Sequence, residues 1–248
     1  MALTQTGSSK ERVLLMGSYG AGKSNSWADI ASWGGKCHVI DLDYSADRTV
    51  EGMGRGQDNV TVYSVDGWDE LVEATERATI AIQPGEWLVI DPIDKAWEWA
   101  QQGYSEKVFG KDVDQWFIEA KKSGEAIGGD YGTNWATINR MYQKFMGYVH
   151  RCKGNVMACT GIVQLVTGEG KMAEKDADTV KLFSRFGVKP AGQKNLGHSF
   201  HTILLLSEPT SDQWVVSTVR DRGRGKLSKE KMEGFVSTYL IGAAGWSL

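Results

Sequence analysis

Long hydrophobic runs are missing from this 248-residue chain, and none approaches the roughly 20 apolar residues that a membrane-spanning helix needs. No membrane partner is expected. Met1 to Arg12 are polar and lack the apolar centre of a secretory leader, so a cytoplasmic protein is expected. Cysteine is scarce: three residues, an odd number without paired spacing, point to a reducing compartment rather than a disulfide framework. Cys37 and Cys159 lie in apolar, strand-like runs and read as buried thiols. Histidine is scarce too, and His38, His150, His198 and His201 lack ligand spacing with cysteines or acids, so no structural zinc is expected. There is no internal repeat and no boundary between domains. Net charge is only −3, yet it is unevenly spread. Residues 1–140 carry 13 Lys and Arg against 22 Asp and Glu, and residues 141–248 carry 15 against 9. A basic half suits nucleic acid or a neighbouring subunit's acidic half, and charge alone does not choose.

What is present is organised around Gly17-Ser18-Tyr19-Gly20-Ala21-Gly22-Lys23-Ser24, which is G-x-x-x-x-G-K-S without a mismatch. An apolar strand, Val13 to Met16, precedes it, and a helix is expected from Asn25 to Trp33, closed by Gly34-Gly35. In that context the glycines let successive backbone N–H groups turn inward around phosphate oxygens, helped by the positive end of the helix. Lys23 can reach the β- and γ-phosphates, the Ser24 hydroxyl can bind Mg²⁺, and Asn25 continues the cradle into the helix. ATP and Mg²⁺ are the expected ligands.

Further along, Cys37 to Asp43 reads as a buried strand ending in carboxylates, and Val60 to Val65 as a short strand. A helix is expected over Trp68 to Ile82, and then Pro84-Gly85 breaks the chain. Trp87-Leu88-Val89-Ile90-Asp91 is an apolar strand with a terminal Asp, the form of a Walker B element, so Asp91 is the second candidate for holding Mg²⁺. Asp94, past Pro92, reads as a helix N-cap. Strands alternating with helices predict an α/β fold with a mainly parallel central sheet. Residues 103–133 read as an irregular, Gly-marked insertion whose aromatic residues either stack on bases or pin the insertion to the core. A helix over 135–151 follows, with Ile138, Met141, Phe145 and Val149 on one stripe. The strand Asn155 to Thr160 ends in a hydroxyl. Residues 161–199 form a second long, weakly periodic segment. His201–Ser207 and Trp214–Val219 read as a C-terminal antiparallel strand pair leading into Arg220-Asp221-Arg222.

This order of elements resembles the RecA family core: a P-loop, an acidic strand end, Walker B, a first loop, a sensor strand, a second loop and a basic final strand pair. The spacing of Asp91, Thr160 and Arg220-Asp221-Arg222 looks most like the phage-encoded RecA-like ATPases associated with single-strand annealing. The resemblance covers residues 11–225 and implies a single ATPase domain over 1–248, with a flexible 1–11 and loops at 103–133 and 161–199. It implies catalytic roles for Lys23, Asp43, Asp91, Thr160, Arg220 and Arg222. Asp43 stands where the family has Glu to orient the attacking water, with Asp41 as the alternative. Thr160 would be the γ-phosphate sensor, with Gln164 in reserve. Arg220 and Arg222 would reach a neighbour's ATP site. It also implies a homo-oligomer with shared ATP sites, single-stranded DNA bound by Lys171, Lys181, Arg185, Lys189 and Lys194, a single-strand-binding or annealing protein as partner, and a host bacterial cytoplasm. Alternative expectations on the same core are a helicase or DNA-packaging motor, a nucleotide switch with weak hydrolysis, and a small-molecule kinase.

Overall fold

The computed structural model describes residues 3–5, 10–110, 113–123, 131–166, 174–210, 213–222 and 226–247. Its first half alternates strand and helix: β1 (Arg12–Gly17), α1 (Lys23–Ser32), β2 (Cys37–Asp41), α2 (Ala46–Glu51), β3 (Val60–Ser64), α3 (Trp68–Ala81) and β4 (Trp87–Asp91). Three helices follow in succession: α4 (Asp94–Phe109), α5 (Val113–Ser123) and α6 (Tyr131–Arg151). Then come β5 (Asn155–Thr160), β6 (Ile162–Gln164), α7 (Ala177–Phe183), β7 (Val188–Pro190), β8 (Thr202–Thr210), β9 (Gln213–Arg220) and the two-residue β10 (Glu230–Lys231).

Eight strands form one sheet in the order β10-β9-β8-β1-β5-β4-β2-β3, and β6 and β7 form a separate antiparallel pair. From β8 to β3 every pairing is parallel, while β9 and β10 run antiparallel to their neighbours. The central strands are buried on both faces, which explains their continuous apolar runs. Their period of two divides them between two cores. Leu14 and Met16 of β1, Leu88 and Ile90 of β4 and Val156 and Ala158 of β5 face α3, α4 and α6. Val13, Leu15, Trp87, Val89, Met157 and Cys159 face α1 and a C-terminal π-helical turn over Val236–Ile241. Complete burial of each such aliphatic side chain contributes about 1.5–3 kcal/mol. The cysteines 37, 152 and 159 are free and buried.

Several boundaries differ from the sequence expectation. Residues 103–133 are largely helical among the described residues rather than an irregular insertion. Gly103 lies within α4 and serves packing: a Cβ there would sit 2.8 Å from the Cβ of Trp68, so its absence lets α4 lie close against α3. Residues 161–199 also hold regular elements: β6, α7 and β7. β2 stops at Asp41, so Asp43 lies in the following turn. Asp94 is the first residue of α4, with Ile93 at the cap position, and is not itself the N-cap. β9 runs one residue past the expected Val219 and ends at Arg220, so Arg222 lies beyond the strand. No helix among the described residues is long and apolar enough to cross a membrane.

Candidate nucleotide site

The P-loop leaves the carboxyl end of β1 and enters α1 at Gly22, whose φ of +84° disfavours any larger residue; being glycine, it offers no side-chain cap to the helix. Gly17 is held to glycine by crowding, since a Cβ there would lie 2.7 Å from the carbonyl oxygen of Leu206 in β8. Lys23 folds back over the loop, its Nζ donating to the carbonyls of Gly17 at 3.0 Å and Ser18 at 2.8 Å.

One residue along α1, the Ser24 hydroxyl donates to Asp91 Oδ2 at 2.8 Å. The same oxygen accepts the indole N–H of Trp27 at 2.9 Å. Asp91 is 6% exposed, and burial raises its pKa above the ordinary carboxylate value; the Trp27 and Ser24 hydrogen bonds pull it down, as does the charge of Lys23. Two hard oxygen donors this close suit an oxygen-seeking cation such as Mg²⁺. Trp27 belongs to no motif, although its spacing is a signal: Ser24 and Trp27 are three residues apart and share a helix face.

The contact across the sheet follows from strand order. β5 lies between β1 and β4, with Met16 in register with Thr160 and Ile90 with Ala158. Asp41 is in register with Asp91 on β2. All these residues therefore lie at the carboxyl edge of the parallel strands, where open α/β sheets form their binding crevices.

The carboxylate that ends β2 and the one just after it differ in role. Asp41 is buried and accepts the backbone N–H groups of Asp43, Ser45 and Ala46, so it shapes the turn; burial raises its pKa against those bonds. Asp43 is exposed, accepts the Ser45 hydroxyl at 2.6 Å, and lies near enough to Asp91 to raise that residue's pKa. Thr160 is fully buried and donates to the carbonyl of Ala191 at 3.3 Å. Gln164 is exposed on β6.

The expected nucleic-acid cations do not form one patch. Lys189 and Lys194 line a groove of about 730 Å³ with Trp97, Asn139, Glu174, Lys175, Gln193 and Asn195, and Lys189 is paired with Glu174. Trp97 stacks on Trp135 with ring centroids 6.0 Å apart. The groove adjoins the sheet edge because Ala191 bonds Gly161, immediately after β5, and Gly192 packs on Asp94. Lys181 instead lies exposed on α7. Arg185 donates to the carbonyl of Thr218 on β9 at 2.7 Å and packs over the Phe186 ring. Lys171 lies outside the described residues.

Arg220 sits at the opposite end of β9 from the P-loop and donates to the carbonyl of Phe200 at 2.7 Å. Seven residue steps along β9 amount to about 23 Å, so Arg220 does not reach this chain's own phosphate loop. Arg222 is exposed and lies close enough to depress the Arg220 pKa, as burial does more strongly. A partner of the P-loop that no sequence motif signals comes from the start of β9, where Trp214 Nε1 donates to the carbonyl of Gly20 at 3.1 Å.

No protein-family model matches this chain, and no curated protein matches it.

Proposed function

We propose that this chain is an ATP-hydrolysing P-loop protein of the RecA-like type that acts on single-stranded DNA. The observation that carries the reading is the Ser24–Asp91 hydrogen bond, made across a sheet in which β5 separates the P-loop strand from the strand bearing Asp91. A glycine-rich turn matched by chance has no reason to face a buried carboxylate on a strand two places away.

In this reading the loop N–H groups and Lys23 hold the triphosphate, and Ser24 with Asp91 holds Mg²⁺. Mg²⁺, when bound, neutralises charge on the phosphate oxygens. Asp43, exposed beside Asp91, orients the attacking water, while Asp41 keeps that turn in shape. Thr160 links the site to the groove through Ala191, giving a route by which nucleotide alters DNA binding. Lys189, Lys194 and the Trp97–Trp135 pair supply the phosphate and base contacts that single strands require. Arg220 and Arg222, on the far edge, serve a neighbouring copy's site, which makes the active form a homo-oligomer.

The test is ATP turnover with and without single-stranded DNA, with duplex DNA as the comparison and Lys23→Ala as the inactive control. Turnover by wild type that single strands raise above duplex is the expected result. Failure of wild type to bind ATP refutes the nucleotide reading, and turnover indifferent to DNA refutes the DNA reading.

A further inference from the structure

The start of β9 reaches the phosphate loop because of register. Leu206 of β8 is paired with Gly17 of β1 on one side and Val216 of β9 on the other. Trp214, two residues before Val216 on the antiparallel strand, shares its face and projects past the end of β1 over the loop. There its indole N–H meets the Gly20 carbonyl at 3.1 Å, and its Cδ1 lies 4.0 Å from where a Cβ on Gly22 would be. Trp214 is 36% exposed, so core burial does not explain its position.

Gly20 has φ of +76°, and because glycine adopts φ of either sign at little cost, nothing in its own backbone fixes the orientation of the peptide that follows. A trans peptide points its C=O and the next N–H in opposite directions. With the Gly20 carbonyl held outward by the indole, the Ala21 N–H points into the loop, where it donates to Ser18 O at 3.3 Å. The same Ser18 oxygen accepts Lys23 Nζ, so the peptide gripped by Trp214 and the phosphate-reaching lysine meet at one atom.

We propose that Trp214 is a positioning residue for the phosphate loop, its indole N–H holding the Gly20–Ala21 peptide so that the loop's N–H groups stay turned toward a bound triphosphate. The proposal rests on the nucleotide reading above. It assigns a nucleotide-site role to a strand that begins 189 residues beyond the motif.

The test compares wild type with Trp214→Phe, which keeps an aromatic ring and loses the donor, by displacement of a fluorescent ATP analogue with ATP and with ADP. One hydrogen bond of ordinary strength predicts an affinity loss of about 3- to 10-fold for both nucleotides. Turnover at saturating ATP should stay within about twofold of wild type, because the grip acts alike on ground and transition states. Melting without nucleotide should fall by no more than about 1–6 °C, the cost of that one bond, leaving the protein folded at the assay temperature; Trp214→Leu, also without a donor, is the second variant if the first folds poorly. Unchanged affinity overturns the proposal, as does an affinity loss matched by loss of folded protein before nucleotide is added. Wild type that binds no nucleotide overturns the nucleotide reading and the proposal together, whereas binding by wild type that the variants share overturns the proposal alone.

Discussion

Replacing Asp91 by Ala and by Asn separates what its carboxylate does for the fold from what it does for a metal. Asp91 Oδ2 accepts hydrogen bonds from both Ser24 and Trp27, and Trp27 is fully buried. In Asp91→Ala the indole N–H loses its acceptor, and an orphaned buried donor costs about 1–3 kcal/mol. For a chain of this size each kcal/mol lowers Tm by about 2–4 °C, so the expected loss is about 2–12 °C. Asp91→Asn keeps a carbonyl oxygen for both donors and should melt above the Ala variant by most of that interval. The charge acts separately. Burial raises the folded-state pKa of Asp91 above its unfolded value, so the folded chain holds this proton more tightly. Its contribution to stability is complete below the ordinary carboxylate value and is lost as pH rises through the raised one. Both variants should lack that component of the pH dependence, and both should lose the extra stabilisation that Mg²⁺ adds to ATP. The assay is thermal melting from acidic to neutral pH, without ligand, with ATP, and with ATP and Mg²⁺. Equal melting of Ala and Asn variants would refute the hydrogen-bond reasoning, and intact Mg²⁺-dependent stabilisation in Asp91→Asn would refute the metal assignment.

Asp43→Asn should lower kcat by about 100-fold or more with little change in nucleotide affinity, whereas Asp41→Asn should lower Tm by weakening the turn around Ser45; steady-state kinetics and melting distinguish them, and normal turnover in Asp43→Asn would move the role elsewhere. Arg220→Ala and Arg222→Ala should each bind ATP but lose most turnover, and mixing either with Lys23→Ala protein should restore part of it, because a mixed interface pairs an intact loop with an intact arginine. Mixtures that assemble and stay inactive would refute the neighbour-site role. Removing Lys189 and Lys194 together should weaken single-strand binding and flatten the slope of log affinity against log salt by about 0.7 for each phosphate no longer neutralised, measured by titration at several salt concentrations, while removing Lys181 should do neither. Equal effects would exclude the groove as the binding surface. Gly103→Ala should cost about 1–3 kcal/mol in chemical denaturation, because its Cβ collides with Trp68.

Local chemistry made much of this protein legible from its sequence. Glycines at positive φ, a lysine and a hydroxyl in fixed spacing identify the P-loop, since that motif's geometry is made within eight consecutive residues. Apolar runs bounded by turn residues likewise identify the parallel strands, because burial on both faces leaves little room for polar side chains. Asp91 was legible as a strand-terminal acid, but its bond to Ser24 needed the sheet order to place β5 between the two strands. Asp43 was favoured over Asp41 at the end of one expected strand; only the structure showed that the strand stops at Asp41, which is buried and caps the N–H groups of the turn while Asp43 stays exposed. The groove cations divided for the same reason: Lys189 and Lys194 share a surface with Trp97, while Arg185, close in sequence, is tied to β9. The segment starting at Gly103 read as irregular because sequence does not show the Trp68 side of α3 pressed against that glycine. Trp214 carried no local signal at all. Its place over Gly20 arises from the pairing of β1, β8 and β9, a relation among strands nearly 200 residues apart that only folding creates.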